Sequence, residues 1–332
     1  PDGVFGSHDG GNTWEGYHLV LAEGGSYQTS AFDPVTPGSI YLDGGNNIFI
    51  TTDDANSWQT SNNFPLPGEE GFDRLKPNSI AVHPQFPSTL YAGVVFDPNF
   101  KGGLYRSQDG GHNWTSIKLF EHPVSRVIFA PSNPDIMYLG MGSGSSIYHG
   151  NGIWHSLDGG ETWNHNTTEI SNKNILALTV HPDNPNILLA GAWDDANEGD
   201  GIYYSIDGGA TWPKADGLED HQQESKVLDI VFDPQDPSIA YAATLGGLRV
   251  SFNGGRTWQV YPGEWGQLPV TALAAVKVGE DTRLYIGTVG GKITEASSDI
   301  SNRQVENIIS AGIYVGIRDF DININYFPLV IR

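Results

Sequence analysis

The chain has 332 residues, no cysteine, and 39 acidic against 17 basic residues, for a formal net charge of −22. The missing cysteines exclude disulfides, thiolate metal sites and thiol nucleophiles. The charge argues against nucleic acid and anionic membranes as partners, because such a surface repels phosphate groups, and no apolar run approaches the roughly 18 residues of a membrane-spanning helix.

Taken in order, the chain opens on Gly3-Val4-Phe5-Gly6-Ser7, which reads as a strand running into a turn. No signal peptide is visible in the sequence, and a start inside a repeat reads as a mature or trimmed chain. The eight residues Ser7–Trp14 then recur as Thr51–Trp58, Ser107–Trp114, Ser156–Trp163, Ser205–Trp212 and Ser251–Trp258, with starts 44, 56, 49, 49 and 46 residues apart. A period of this length points to propeller blades or solenoid units. Ahead of each later copy stands an apolar pair of runs joined by a Pro-rich link, as in Ile80-Ala81-Val82-His83-Pro84 followed by Leu90-Tyr91-Ala92-Gly93. Continuous apolar runs suit strands covered on both faces, and the link reads as a turn. A third strand enters each repeated turn (Gly201-Ile202-Tyr203-Tyr204-Ser205 is one) and a fourth leaves it. Four strands per repeat around an axis make an all-β, β-propeller fold of antiparallel blades. The 42 glycines and 20 prolines fit such short strands and turns.

Within each turn Asp9, Asp53, Asp109, Asp158, Asp207 or Asn253 is expected to accept backbone N–H groups one or two residues ahead. The Gly-Gly pairs permit positive φ, and Trp14, Trp58, Trp114, Trp163, Trp212 and Trp258 each offer an indole to bury against a neighbouring blade. The copy Thr51–Trp58 has no glycine, and Asn56 is its expected left-handed residue. A feature present once per repeat is scaffold rather than site.

The pattern Ser/Thr-x-Asp/Asn-x-x-x-Thr/Asn/Ser-Trp resembles the Asp-box, or BNR repeat, of bacterial sialidases, sortilin-type receptors, xyloglucan-active glycoside hydrolases and photosystem II assembly factors. The resemblance implies one propeller domain over residues 1–332. Counting strands to the C-terminus gives seven blades. Gly291–Glu295 and 304–308 would be the last third and fourth strands, and 311–330 would complete the first blade beside the N-terminal pair. Such a shared blade removes open edges. The rival arrangement makes 311–330 the outer strands of the last blade. The tail Tyr326–Arg332 resembles a terminal phrase of secreted proteins from filamentous thermophilic bacteria, which implies an extracellular or cell-surface location.

Function is expected on the face opposite the repeated turns, where loops vary over a rigid frame. Those loops carry Trp193, Trp265, Tyr148 and Phe96 together with Asp73 and Asp97, the flat apolar faces and acceptors that suit a glycan. A protein partner is the other candidate. Trp193–Asp200 gathers Asp194, Asp195, Glu198 and Asp200, hard oxygen ligands of the kind calcium takes, without the order of an EF-hand. A pair of carboxylates across the axis would suit hydrolysis of a glycosidic bond. The Arg-Ile-Pro phrase and arginine triad of sialidases are absent. The xyloglucan-active hydrolases resemble the chain more closely, but they pair two propellers and cleave in the cleft between. These features favour a non-catalytic binding or surface-structural module, with a glycoside hydrolase acting on β-glucan or xyloglucan as the alternative.

Overall fold

The computed structural model describes residues 4–7, 13, 15–17, 29–62, 64–66, 72–98, 101–142, 150–165, 169–193, 199–218, 225–279, 281–288, 292–297 and 311–312. Its strands form antiparallel meanders in chain order. Sheet A pairs β1 (Val4–Gly6) with β2 (Glu15–Tyr17). Sheet B orders β3 (Ser30–Phe32), β4 (Ile40–Asp43), β5 (Ile48–Thr51) and β6 (Gln59–Thr60). Sheet C follows with β7 (Phe72–Val82), β8 (Leu90–Pro98), β9 (Gly102–Ser107) and β10 (Thr115–Phe120). Sheet D holds β11 (Val124–Ala130), β12 (Asn133–Met141), β13 (Ile153–Ser156) and β14 (Asn164–His165). Sheet E has three strands, β15 (Asn174–Val180), β16 (Leu188–Trp193) and β17 (Gly199–Ser205). Sheet F contains β18 (Val227–Phe232), β19 (Ala240–Thr244), β20 (Gly247–Ser251) and β21 (Gln259–Val260). Sheet G ends the series with β22 (Val270–Val278), β23 (Asp281–Thr288), β24 (Lys292–Ser297) and β25 (Ala311–Gly312).

The first strands of sheets B to G touch in sequence, β3 on β7, β7 on β11, β11 on β15, β15 on β18 and β18 on β22. The second strands lie between covered faces, and every residue of β16 and β19 is buried. The core is therefore a series of apolar layers between sheets. Trp212 packs with Ala130, Tyr138 and Ile153 of sheet D, and Trp258 with Ala177, Leu189 and Ile202 of sheet E. Each tryptophan thus packs against residues of the sheet before its own.

The repeated turns share one hydrogen-bond clamp. In sheet E the Ser205 hydroxyl donates to Asp207 Oδ1 (2.7 Å) and accepts Gly209 N–H (2.8 Å), while Asp207 accepts the Thr211 N–H (3.0 Å) and hydroxyl (2.6 Å). Sheet D repeats these contacts with Ser156/Asp158/Thr162. Sheet C does so with Ser107/Asp109/Asn113, where the Asn113 amide donates in place of the hydroxyl. In sheet F, with Ser251/Asn253/Thr257, the last bond is reversed and Asn253 Nδ2 donates to Thr257 Oγ1. The carboxylate therefore reaches the N–H four residues ahead, and the N–H two residues after the serine belongs to the serine hydroxyl (Asp207 N to Ser205 Oγ, 3.3 Å). That differs from the short reach expected of the acid, because the nearer donors are taken: Gly208 N–H by the Asn186 carbonyl and Gly209 N–H by the serine hydroxyl. Trp114, Trp163, Trp212 and Trp258 donate their indole N–H to the carbonyl of the second turn glycine at 2.8–3.0 Å.

Two expectations are corrected here. In the glycine-free turn the left-handed residues are Asp54 (φ 66°) and Ala55 (φ 62°), not Asn56. They occupy the two glycine positions, so the clamp imposes the backbone by position rather than by residue preference. Ala311 and Gly312, expected beside the N-terminal pair, instead pair with Ile293 and Lys292 of β24. Strand β24 itself covers the expected third strand from Lys292 on, whereas Gly291, 304–308 and 313–330 lie outside the described residues, as do Asp9 and Trp14.

Candidate functional site

The clamp turns share a face with the turns joining first and second strands, since Gly159, Gly208 and Gly254 N–H groups donate to Asp135, Asn186 and Ser238 carbonyls. At the opposite face first strands begin and second strands end, as in the pairing of Asn174 with Trp193. Just inside that face the first strand of sheets C to G carries a register shift, between Pro77/Ser79, Val124/Arg126, Ile175/Ala177, Val227/Asp229 and Val270/Ala272. A bulge inserts a residue and re-aims its neighbours. Here it turns polar groups sideways to the next sheet. Ser79 Oγ accepts Val127 N–H (2.9 Å), Ser125 Oγ donates to Gly140 O (2.8 Å) and to Ile175 O, and Asp229 Oδ2 accepts Leu273 N–H (2.9 Å).

Arg126 and Asp229 hold the same bulge position in sheets D and F, with Ala177 of sheet E between them. The Arg126 guanidinium approaches Leu228 O at 3.5 Å. Asp229 keeps part of its surface open yet sits deep among the sheets. Burial pushes its carboxyl above the usual carboxylate range, against the opposing pull of Arg126 and of the Leu273 and Ile230 N–H groups. This pair was not among the sequence candidates. Its signal was present: Val124-Ser125-Arg126-Val127, Ile175-Leu176-Ala177-Leu178 and Val227-Leu228-Asp229-Ile230 align, and opposite charges stand at one repeat position.

The aromatic candidates are placed differently from expectation. Trp193 is 1% exposed; its indole donates to Val227 O (3.0 Å), and Lys226 Nζ lies 4.5 Å from its ring centroid. It packs with Leu176, Leu228 and Leu245, joining sheets E and F, so it has no free face for a sugar. Phe96 is buried beside Tyr105, and Trp265 is buried in the layer between sheets F and G. Trp193 and Phe96 end the apolar runs of second strands that adjoining sheets cover, and Trp265 sits in the turn Glu264–Gly266 that links sheets F and G.

Asp200 is buried between two lysines, Lys173 Nζ at 2.9 Å and Lys214 Nζ at 3.1 Å, and accepts the Tyr203 hydroxyl at 2.9 Å. Burial alone would raise its pKa; the two ammonium groups outweigh that and hold it below the ordinary value. A carboxylate already offset by two cations does not fit a divalent metal, which corrects its place in the calcium set. Asp194, Asp195, Glu198 and Tyr148 lie outside the described residues, and Asp73 and Asp97 are described in their strand backbone alone. Among the described residues no group of three or more His, Asp or Glu side chains could hold a metal ion. No helix among them is long and apolar enough to cross a membrane.

Arg126 is engaged with the Ser125 and Leu228 carbonyls, and among the described residues no carboxylate is one of the groups that shift Asp229 or Asp200. Comparison with known proteins bears on both fold and site. Residues 102–223 match the family model described as "Sortilin, neurotensin receptor 3". A probable oligoxyloglucan-reducing end-specific xyloglucanase of Neosartorya fischeri is 27% identical over 149 residues, 41% of this chain and 17% of that protein. Among solved structures, an ancestral GH74 enzyme superposes with a TM-score of 0.65 at 19% identity, over 91% of this chain and 40% of that one. YCF48 bound to D1 peptide gives 0.55 at 21% identity, over 86% of this chain and 83% of that one. The chain thus spans less than a quarter of the curated xyloglucanases it matches and 40% of the ancestral GH74 enzyme. At these identities the solved structures speak for the fold. The chain is an all-β propeller, similar in sequence to sortilin-type and xyloglucanase proteins and in fold to GH74 and YCF48 structures.

Proposed function

We propose that the chain is an extracellular, seven-bladed Asp-box propeller that binds a glycan or protein partner on the face opposite the clamp turns, without catalysis. One domain spans 1–332 in this reading. The observation that carries it is the engagement of the buried carboxylates. Asp200 is offset by Lys173 and Lys214, and Asp229 accepts two backbone N–H groups. A glycosidase needs two carboxyl groups facing each other across the bond, about 5–5.5 Å apart for retention or about 6.5–9.5 Å for inversion. Among the described residues no second carboxylate acts on either Asp200 or Asp229. Asp73, Asp97 and Tyr148 are the proposed ligand contacts, and Asp194, Asp195 and Glu198 the proposed calcium ligands, without Asp200.

The second reading, a glycoside hydrolase acting on β-glucan or xyloglucan, is favoured by the xyloglucanase relatives. One experiment separates the two. The protein is incubated with xyloglucan and a β-glucan panel, reducing ends are assayed, and retention is measured on affinity gels. Retention without new reducing ends supports the binding module. Release of reducing ends, lost on Asp73→Asn or Asp97→Asn, would establish the hydrolase instead.

A further inference from the structure

The face carrying the clamp turns bears a second feature that the opposite-face reading does not use. Leu157, Ile206 and Phe252 occupy the same position, one residue after the clamp serine, in sheets D, E and F. Their side chains are 62, 55 and 43% exposed. The equivalent residues of sheets B and C, Thr52 and Gln108, are polar. Large apolar side chains thus stand in solvent at one position of three successive turns, an arc on the face where the strand-linking turns of sheets B and C also expose Val35 and Phe86, and each costs hydration without adding to the core.

The arc is rigid. Within sheets, Gly159 N–H donates to Asp135 O (2.8 Å), Gly208 N–H to Asn186 O (3.0 Å) and Gly254 N–H to Ser238 O (2.7 Å). Between sheets, the Tyr91 hydroxyl of sheet C donates to Gly159 O (2.7 Å), and Tyr138 of sheet D to Gly208 O (3.3 Å). A surface already fixed in place loses little entropy when a partner seats on it. The arc is also acidic. Asp135, Asp158, Asp183, Asp207 and Asp236 stand on the same turns, with Arg256 as the cation among their described residues; Glu161 is paired with Arg106 of sheet C. A second copy of this chain, at −22, would bring like charges together.

We propose that this arc is a docking surface for a basic protein, one presenting apolar side chains between lysines or arginines. The three apolar tips supply buried contact, and the surrounding carboxylates select the sign of the partner and speed its approach. The surface is separate from the proposed ligand face, so both can be occupied together.

The test uses the full chain and three synthetic probes: an amphipathic Leu/Lys peptide, its Leu/Glu counterpart and a Ser/Lys peptide, each carrying a photo-crosslinker. Binding is read by fluorescence anisotropy at two salt concentrations. The expected result is salt-sensitive binding of the Leu/Lys peptide alone, with crosslinks in 157–162, 206–211 and 252–257. The triple variant Leu157→Ser, Ile206→Ser, Phe252→Ser, whose changes are exposed, should melt as the parent does and bind that peptide about tenfold or more weakly. Undiminished binding by the triple variant, equal binding of the Ser/Lys peptide, crosslinks elsewhere, or no binding at all would overturn the proposal. So would a parent dimer in sedimentation that the triple variant loses, which would make the occupant a second copy. Retention of polysaccharide is expected to be unchanged in the triple variant.

Discussion

The turn of sheet B and the turn of sheet E are built on the same clamp from different residues. Thr51, Asp53 and Ser57 repeat every bond of Ser205, Asp207 and Thr211: Thr51 Oγ1 to Asp53 Oδ1 at 2.8 Å, Ala55 N–H to Thr51 Oγ1 at 3.1 Å, and Ser57 N–H and hydroxyl to Asp53 at 2.9 and 2.6 Å. Yet Asp54 and Ala55 stand where Gly208 and Gly209 stand, and all four have positive φ. The hydroxyl–carboxylate clamp therefore sets the backbone, and glycine only lowers its cost. The anchoring of the tryptophan differs more. Trp212 is fully buried and bonded to Gly209 O, whereas Trp58 is half-buried and its indole N–H has no acceptor among the described residues. What glycine adds is close packing beneath the turn. A Cβ on Gly160 would stand 3.1 Å from the Tyr91 ring, and one on Gly255 would stand 2.2 Å from Leu189.

The largest expected effect follows from that difference in anchoring. Trp212→Ala should cost about 3–5 kcal/mol, the range for emptying a buried aromatic site, and Trp58→Ala roughly half of that or less. Denaturant unfolding of the two variants measures both. Equal losses would show that the two turns are anchored alike and would remove the comparison.

An intermediate effect comes from the clamp acids. Hydrogen bonds from the Thr162 hydroxyl, the Thr162 N–H and the Ser156 hydroxyl hold Asp158 at about 2 against an ordinary 3.8. Asp53 is lowered by Ser57 and Thr51; Asp109 and Asp207 are lowered too, their hydrogen bonds outweighing the upward push of burial. A carboxyl whose folded pKa is depressed stabilises the fold above its unfolded pKa and loses that contribution as pH falls through the folded value. The melting temperature should therefore drop between pH ~4 and ~2, given the 3.8 and about 2 of Asp158. Sheet F shows that Asn253 closes the same turn without titrating, its Nδ2 donating to Thr257 Oγ1 at 2.9 Å. Asp158→Asn should thus fold and show a shallower acid loss in thermal melts across that window. An identical acid profile would mean that the clamp bonds are equally strong to the protonated acid.

The same residues show what the sequence could and could not reveal. The meander of strands was legible because each repeat restates one pattern of apolar runs and polar turn. Lateral partners were not. Trp193 read as a loop platform because acidic residues follow it, while its position closing the apolar run Leu188–Ala192 marked it equally as covered strand. Its acceptor, Val227 O, lies 34 residues on. Asp200 read as a metal ligand beside Asp194, Asp195 and Glu198, whereas the lysines that bind it come from before β15 and after β17, brought in by the fold rather than by spacing. Asn56 was chosen on the left-handed preference of asparagine, a weak preference that the clamp overrides.

That override leaves a small strain in sheet B, and its removal is the finest test of the comparison. Ala55 is buried against Ile40 and Leu42, so replacing it with glycine would relieve φ but surrender a packed methyl. Asp54 is the cleaner site: it is only partly buried, and its N–H bond to Gly38 O (3.1 Å) survives any side-chain change. Glycine at the matching positions, Gly110, Gly159, Gly208 and Gly254, sits at φ 68–74°. Asp54→Gly should therefore stabilise the chain by about 0.5–1 kcal/mol, the gain expected where a non-glycine residue is held at positive φ. The mirror change, Gly208→Asp in sheet E, should destabilise by at least as much, because it adds the same strain and brings a Cβ to 3.2 Å from Asn186 Oδ1. Both are read from denaturant midpoints at unchanged slope. A loss of stability in Asp54→Gly would mean that the Asp54 side chain contributes more than its backbone strain removes, and that the glycine-free turn is a stabilised variant rather than a tolerated one.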